Sequence, residues 1–369
     1  MKPTSPIKTV IACGGTGGHL FPGLAVAQEL KVRGHEVLLI VSEKAIDSVA
    51  LKAHPEFKYE RLPSVGMPSV LSPAFVRFLR LLWESTSICK HIYRKFKPGA
   101  VLGMGGFTST PPILATRGKP VASFVHESNA IPGKANKFSA RFCRKVLLGF
   151  ESCQTYFPNQ QCIHTGTPVR QNLGSPLPRE EALKTFNLDP ARRTILVMGG
   201  SQGATGINQL MFRVAARLRQ EQVQIIHLAG DRDEQLAAAN YLREEIPSHV
   251  TSFCHSMEAA YSAADLVISR AGASSLNELS YFGLPSILIP YPFAADNHQE
   301  ANAKIFVQAG AAEMALESDV NSETFGHMLV NILGDSARRS SMSTAAAALQ
   351  PRDAAKRVVD VIESEVRIS

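Results

Sequence analysis

The chain has 369 residues, too many for one ordinary core and enough for two domains of roughly 100 to 200 residues each. Its 45% hydrophobic and 19% charged composition is globular, and no run approaches 18 consecutive apolar residues, which excludes a spanning helix. The net charge of +7 hides a split: Met1 to Arg170 carries 22 Lys+Arg against 9 Asp+Glu, or +13, and the remainder 17 against 23, or −6. An N-terminal half so basic is expected to face something anionic, and nucleic acid, a membrane surface and a phosphorylated substrate all qualify.

In chain order, MKPTSPIKTVIACGG passes straight into a strand-like run without the apolar core of a signal peptide, so a cytosolic location is expected. KTVIACGGTGGH then ends in glycines and leads into a helical pattern through Leu24, Ala27, Gln28 and Leu30; Gly34 stops it before the strand EVLLIVS. Further strands read at Gly99 to Leu102, Val121 to Val125, Val146 to Leu148, Gln224 to Leu228, Leu266 to Ser269 and Ser286 to Ile289. The run TILVMGGSQGA near-repeats the opening. Apolar strands alternating with helices predict an α/β protein of two tandem Rossmann-like domains, 1–168 and 169–350, joined by the Pro- and Gly-rich stretch Thr165 to Arg193, with the catalytic cleft across that junction. The six cysteines (Cys13, Cys89, Cys143, Cys153, Cys162 and Cys254) form no C-x-x-C pair and read as reduced packing residues.

Three glycine loops follow strands, at Gly14 to His19, Gly103 to Gly106 and Gly199 to Gly203. The first has Leu20 where G-x-G-x-x-G ends in glycine, and no G-K-[ST] follows, so neither the dehydrogenase nor the Walker loop is satisfied. Together the loops point to phosphate-rich ligands at the strand ends, held by backbone N–H groups and helix dipoles. His19 closes the first loop, where burial and the dipole favour a neutral imidazole that can act as general base or as hydrogen-bond donor. Glu127 and Asn129 follow a strand in VHESNAIPGKANK, and Glu278 sits one turn inside the helix opened by SRAGASSLNE, where a carboxylate can accept ribose hydroxyls. Asp296-Asn297-His298-Gln299-Glu300 offers amide and imidazole groups to sugar hydroxyls. Asp231-Arg232-Asp233 resembles a D-x-D metal motif but shows no third ligand.

Taken together, GGTGGHLFPGLAVAQEL, LGMGGFTSTPPILA, HESNAIPGKANK, GTPVR, GGSQGA, SRAGASSLNEL and DNHQEANA closely resemble the MurG family, the bacterial UDP-N-acetylglucosamine:lipid I N-acetylglucosaminyltransferases, from about Thr9 to Ala312. The resemblance implies a GT-B fold, with an acceptor domain, a donor domain and a last helix, 353–366, returning to the first. It implies that Thr16, Gly17, Gly18, Asn129 and Arg170 reach the donor from the N-terminal domain. Ser201, Cys254, Ala273, Ser274, Ser275, Leu276, Asn277, Glu278, His298 and Gln299 would bind it in the C-terminal one, and Gly105 and Gly106 the acceptor diphosphate. Ser128, Phe107 and His298 depart from the best-known pattern, and Phe107 lacks the hydroxyl of the more common Tyr.

The implied reaction is inverting transfer of N-acetylglucosamine from UDP-N-acetylglucosamine to the muramyl 4-hydroxyl of lipid I, giving lipid II for peptidoglycan synthesis. His19 is the first candidate base and Glu127 the second; the sequence does not separate them. A diphosphate met by helix ends needs no metal, so neither metal nor cofactor is expected, and no nucleic acid partner. Another UDP-sugar transferase with a soluble acceptor is the alternative. The segment 71–99 bears on it: Phe75, Phe78, Leu79 and Leu82 fall at helical spacing beside Trp83, flanked by Arg77, Arg80 and further basic residues. That pattern predicts peripheral attachment to the anionic cytoplasmic face of the membrane.

Overall fold

The computed structural model describes residues 6–44, 47, 52, 54–63, 66, 68, 72–170, 173–200 and 203–367. The chain divides into two compact units, Met1–Arg170 with Pro351–Ser369, and Gln171–Gln350. The first boundary falls two residues after the 168/169 division read from the sequence.

The first unit contains β1 (Lys8–Ala12), α1 (Gly17–Val32), β2 (Glu36–Ser42), β3 (Lys58–Leu62), α2 (Ala74–Phe96), β4 (Ala100–Gly103), α3 (Thr110–Leu114), β5 (Ala122–Glu127), α4 (Lys134–Ala140), β6 (Lys145–Leu148) and β7 (Cys162–His164). The second contains α5 (Arg179–Lys184), β8 (Arg193–Met198), α6 (Thr205–Leu218), β9 (Val223–Leu228), α7 (Glu234–Arg243), β10 (Ser248–Thr251), α8 (Met257–Ala263), β11 (Leu266–Ser269), α9 (Ala273–Phe282), β12 (Ser286–Leu288), α10 (His298–Gln308), β13 (Ala312–Met314), α11 (Ser322–Gly334) and α12 (Ser336–Ala348). Last comes α13 (Ala354–Arg367), which belongs to the first unit.

Both sheets are parallel, with strand orders β3-β2-β1-β4-β5-β6-β7 and β10-β9-β8-β11-β12-β13. The central strands β1, β4, β8 and β11 lie between helical layers, so their residues are almost all buried and read as continuous apolar runs. The order in which successive strands are added reverses between β1 and β4 in one sheet and between β8 and β11 in the other. Ligands of doubly wound sheets bind at the carboxyl ends of strands beside such reversals. The loops after β1 and β4, and those after β8 and β11, are therefore the ones placed for chemistry.

The terminal helix is fastened to the first unit by both core and charge. Val358, Val359 and Ile362 are fully buried in the cluster that also holds Leu20, Leu24 and Leu30. Full burial of each such side chain stabilises by about 1.5–3 kcal/mol. Along its edge Arg33 bonds Asp360 (2.6 Å) while pairing with Glu29 (2.8 Å), and Lys145 meets Glu365 at 2.6 Å. His35 accepts the Ile7 N–H at Nδ1 (3.1 Å), which leaves Nε2 to carry the proton donated to Glu363 (2.9 Å).

Candidate active site

The first glycine loop leaves β1 through Cys13 and Gly14, both buried, and α1 starts at Gly17 behind an extended Thr16. His19 lies in the first turn, its N–H on the Thr16 carbonyl (3.2 Å) and its Nδ1 3.3 Å from Thr16 Oγ1. The ring rests on the loop after β4: a Cβ on Gly105 would stand 2.9 Å from His19 Nε2, and one on Gly106 3.2 Å from Cε1. Gly105 also has φ +110, so glycine is required there twice, by backbone and by space.

Burial pushes the His19 ring down to about 4; nearby Lys44 adds to the effect, while Asp47 and a bond to the Gly14 backbone oppose it. The imidazole is neutral at pH 7. Its second cause is a neighbouring lysine, where the sequence suggested a helix dipole.

Glu127, the other candidate base, ends β5 fully enclosed. Its Oε1 accepts from the Asn129 N–H (2.9 Å) and Asn129 Nδ2 (3.1 Å), and its Oε2 from the Gly133 N–H (3.0 Å) and Asn136 Nδ2 (2.8 Å). Burial raises its pKa and these bonds pull it back. A carboxylate whose two oxygens already take four bonds closes the 127–136 loop; it does not present an oxygen to substrate. These four bonds weigh against Glu127 and toward His19 as the base.

Gly105 also has its backbone N–H engaged within the unit. Its N–H donates to Ser109 Oγ (3.0 Å), so it points into the protein and not at an acceptor diphosphate. Gly15 behaves alike, its N–H directed at Asp47 (2.9 Å). Asn136, in HESNAIPGKANK, carries no sequence signal of a role. Its Nδ2 donates to the His126 carbonyl (3.1 Å) as well as to Glu127, which fixes the amide orientation and leaves Oδ1 buried without a hydrogen-bond partner among the described residues. The same Nδ2 lies 3.3 Å from the Cβ position of Gly105, so Asn136 neighbours His19. Asn129 is half-buried and holds Glu127; Arg170 lays its guanidinium over the Phe21 ring at 5.1 Å.

In the second unit, α9 begins behind Gly272 with no side-chain cap. Ala273, Leu276, Asn277 and Glu278 are buried, while Ser274 and Ser275 are half-exposed. Leu276 is a core side chain at 0% exposure, which corrects its reading as a lining residue: only its backbone can serve a ligand. Glu278 Oε2 accepts the Tyr261 hydroxyl (2.7 Å), a partner the sequence did not suggest. Asn277 donates to the Ala273 carbonyl (2.6 Å), and its buried Oδ1 has no hydrogen-bond partner among the described residues.

Cys254 is buried and Ser201 lies outside the described residues. Asp296 and Asn297 both take left-handed backbone (φ 50 and 53), a conformation their short polar side chains tolerate, and so turn the chain sharply into α10. There His298 Nδ1 donates to the Ala295 carbonyl (2.7 Å), and Gln299 Oε1 accepts the Tyr291 N–H (2.9 Å). Arg270 braces this side: it reaches the carbonyls of Ile289 (3.1 Å) and Pro290 (3.2 Å) and pairs with Glu317 (2.5 Å). Asp233 accepts from Asn208 Nδ2 (2.8 Å). Among the described residues no three His, Cys, Asp or Glu side chains gather as metal ligands.

Comparison with known proteins decides the family. Residues 9–148 match the glycosyltransferase family 28 N-terminal domain and 194–358 its C-terminal domain. A Geotalea uraniireducens protein named UDP-N-acetylglucosamine–N-acetylmuramyl-(pentapeptide) pyrophosphoryl-undecaprenol N-acetylglucosamine transferase is 36% identical over 97% of this chain and 98% of its own length. One of the same name from Gloeothece citriformis is 34% identical over 99% and 98%. The chain belongs to this transferase family. Among solved structures, the crystal structure of Acinetobacter baumannii MurG matches with a TM-score of 0.77 at 27% identity, covering 97% of this chain and all of that one. The calicheamicin glycosyltransferase CalG4, 12% identical with a TM-score of 0.69 over 98% of each chain, shares the fold. The protein is therefore a glycosyltransferase built of two parallel α/β domains.

Two departures from the family pattern now have local accounts. Ser128 Oγ donates to His126 Nδ1 (3.2 Å), and His126 Nε2 donates to the Gly166 carbonyl (2.9 Å), a buried tie between β5 and the segment leaving the unit. Phe107 meets Phe78 edge-on at 5.4 Å and so packs the glycine loop against α2. That contact corrects the apolar stripe. Phe78 is buried, Phe75 and Leu82 are half-buried, and the residues that face solvent are Val76 (72% exposed), Leu79 (48%) and Trp83 (72%), with Arg77 and Arg80 exposed beside them. Val76 was missed because the stripe was centred one face too far inward. Among the described residues no helix is long and apolar enough to cross a membrane.

Proposed function

We propose that this chain transfers N-acetylglucosamine from UDP-N-acetylglucosamine to the 4-hydroxyl of the muramyl sugar of lipid I, inverting the anomeric carbon and releasing UDP. The observation that carries the mechanism is the neutral His19 imidazole at the β1/β4 reversal, its ring backed by two glycines. As the acceptor oxygen attacks, the His19 ring takes its proton. A ring held near 4 is a weak base when alone, and the negative diphosphates of the bound substrates raise it during the reaction. UDP leaves with its charge met by the start of α9, where the helix dipole and N–H groups converge, while Glu278 accepts from the ribose. No metal takes part.

Radiolabelled donor with lipid I tests this directly: label should appear in lipid II, and EDTA should leave the rate unchanged. Absence of lipid product, or abolition of turnover by EDTA, would refute the reaction or its metal independence respectively.

The acceptor's lipid tail requires the enzyme to work at a membrane surface. Helix α2 supplies the means on one exposed face: Val76, Leu79 and Trp83 toward its start, Lys90 and Arg94 farther along. The face spans about 27 Å at 1.5 Å per residue. Apolar insertion is reinforced by basic residues worth about 1 kcal/mol each at an anionic surface, screened by salt. Co-sedimentation with phosphatidylglycerol vesicles at low salt should be strong, and should fall with high salt or with Trp83→Ser and Arg94→Ser. Equal binding to neutral vesicles would remove α2 from the membrane.

A further inference from the structure

The first glycine loop is gripped by two residues that belong to none of the recognised motifs. Asp47 is fully buried, and its carboxylate accepts from the Gly15 N–H (2.9 and 3.2 Å to its two oxygens), the Ser42 N–H (2.9 Å) and the Ser42 hydroxyl (2.5 Å). Lys44 Nζ donates to the Gly15 carbonyl at 2.8 Å. Both polar ends of Gly15 are thus held from the segment that follows β2. A Cβ on Gly14 would come 2.5 Å from Asp47 Oδ2, so the loop backbone lies directly on the carboxylate. Loops of this kind ordinarily offer such N–H groups to a phosphate. Here a built-in anion takes the Gly15 N–H, and the loop is ordered before any ligand arrives.

Only Thr16 separates this clamp from α1, whose first turn carries His19. We propose that Asp47 and Lys44 are positioning residues for the transfer reaction: they set the path of Gly14–Thr16 and thereby aim the His19 ring. The proposal rests on the reading of His19 as proton acceptor. Misplacing a reacting group by about 1 Å can cost about a hundredfold in rate, so the clamp has enough leverage to matter without touching substrate.

The clamp also supplies a readout that a merely structural role would lack. The charged or titratable groups coupled to His19 are Lys44, Asp47 and His126; Lys44 disfavours protonation of the ring and Asp47 favours it. Removing either charge should therefore shift the acid limb of kcat/KM in opposite directions, upward in pH for Lys44→Met and downward for Asp47→Asn.

The full-length enzyme with UDP-N-acetylglucosamine and lipid I serves as the assay, alongside thermal melting and calorimetric titration with UDP. Asp47→Asn should lower kcat about ten- to a hundredfold while UDP affinity stays within twofold. Lys44→Met should lower kcat less and move the acid limb up. Should Asp47→Asn fail to fold, Lys44→Met, on an exposed side chain, decides by itself. Values of kcat within twofold of wild type in the folded variants, or a Lys44→Met acid limb that stays put or moves down, overturn the proposal. A His19→Ala enzyme that still turns over would instead overturn the reading of His19. Loss of turnover in His19→Ala with both clamp variants unaffected would defeat the clamp alone.

Discussion

The two units share one topology and use it in opposite ways. At the β1/β4 reversal the polar groups are consumed internally: Gly15 by Asp47 and Lys44, Gly105 by Ser109, Glu127 by two asparagines and Gly133. Beside this network stand the His19 imidazole and the buried Asn136 Oδ1, which has no hydrogen-bond partner among the described residues. At the β8/β11 reversal, α9 opens without a side-chain cap, with half-exposed serines on its first turn and a glutamate steadied by a tyrosine. The first arrangement suits moving a proton, which demands a fixed, desolvated acceptor; the second suits binding an anion, which demands unspent N–H groups and a dipole.

If that contrast is right, variants in the two units should separate rate from affinity. His19→Ala is expected to lower kcat about 100- to 10,000-fold with UDP affinity unchanged by calorimetry. A loss under tenfold would leave the first unit without its assigned chemistry. Glu278→Ala should act the other way, weakening UDP about 10- to 100-fold, the equivalent of roughly 1.5–3 kcal/mol for a charged hydrogen bond. Were kcat to fall with UDP affinity intact, the division of labour would be wrong.

The pH dependence sharpens the first half of the comparison. With His19 near 4 and active when neutral, kcat/KM should hold on its acid side well below pH 6.5 and be lost only as pH approaches 4. At pH 5.5 an ordinary histidine would already have lost about tenfold. The acid limb of kcat, which reports the substrate complex, should lie above that of kcat/KM, because bound diphosphates favour the protonated ring. Coincident limbs near 6.5 would show that the ring is solvated. The smallest effect is expected from Tyr261→Phe, which removes one neutral donor from Glu278 and should weaken UDP about two- to tenfold. No change would mean that Glu278 does not depend on Tyr261 for its orientation.

Much of this was legible in the sequence. Continuous apolar runs identified the central strands, because a strand covered on both faces must be apolar throughout; glycine clusters at their ends marked the loops of both reversals. The strands missed, β3, β7, β10 and β13, lie at the outer margins of the sheets. Lys58 to Glu60 are exposed, and a half-exposed strand carries no apolar run to read. The amphipathic helix α2 was found by its period, but which of its sides looks outward depended on the Phe78–Phe107 contact, made across 29 residues of sequence.

The sequence by itself determined the two parallel domains, the family, and the histidine and glutamate that head the lists of candidates. Only the tertiary structure sets their surroundings apart, because what each carboxylate or imidazole already bonds to is not written in the local sequence. Glu127 and His19 are both polar residues at strand ends by sequence, and nothing local says that one is saturated and the other is not. Asp47 and Tyr261 were invisible for the same reason. Spacing along the chain records period and propensity, whereas hydrogen-bond saturation is settled by groups brought together across loops, such as the 32 residues between Gly15 and Asp47.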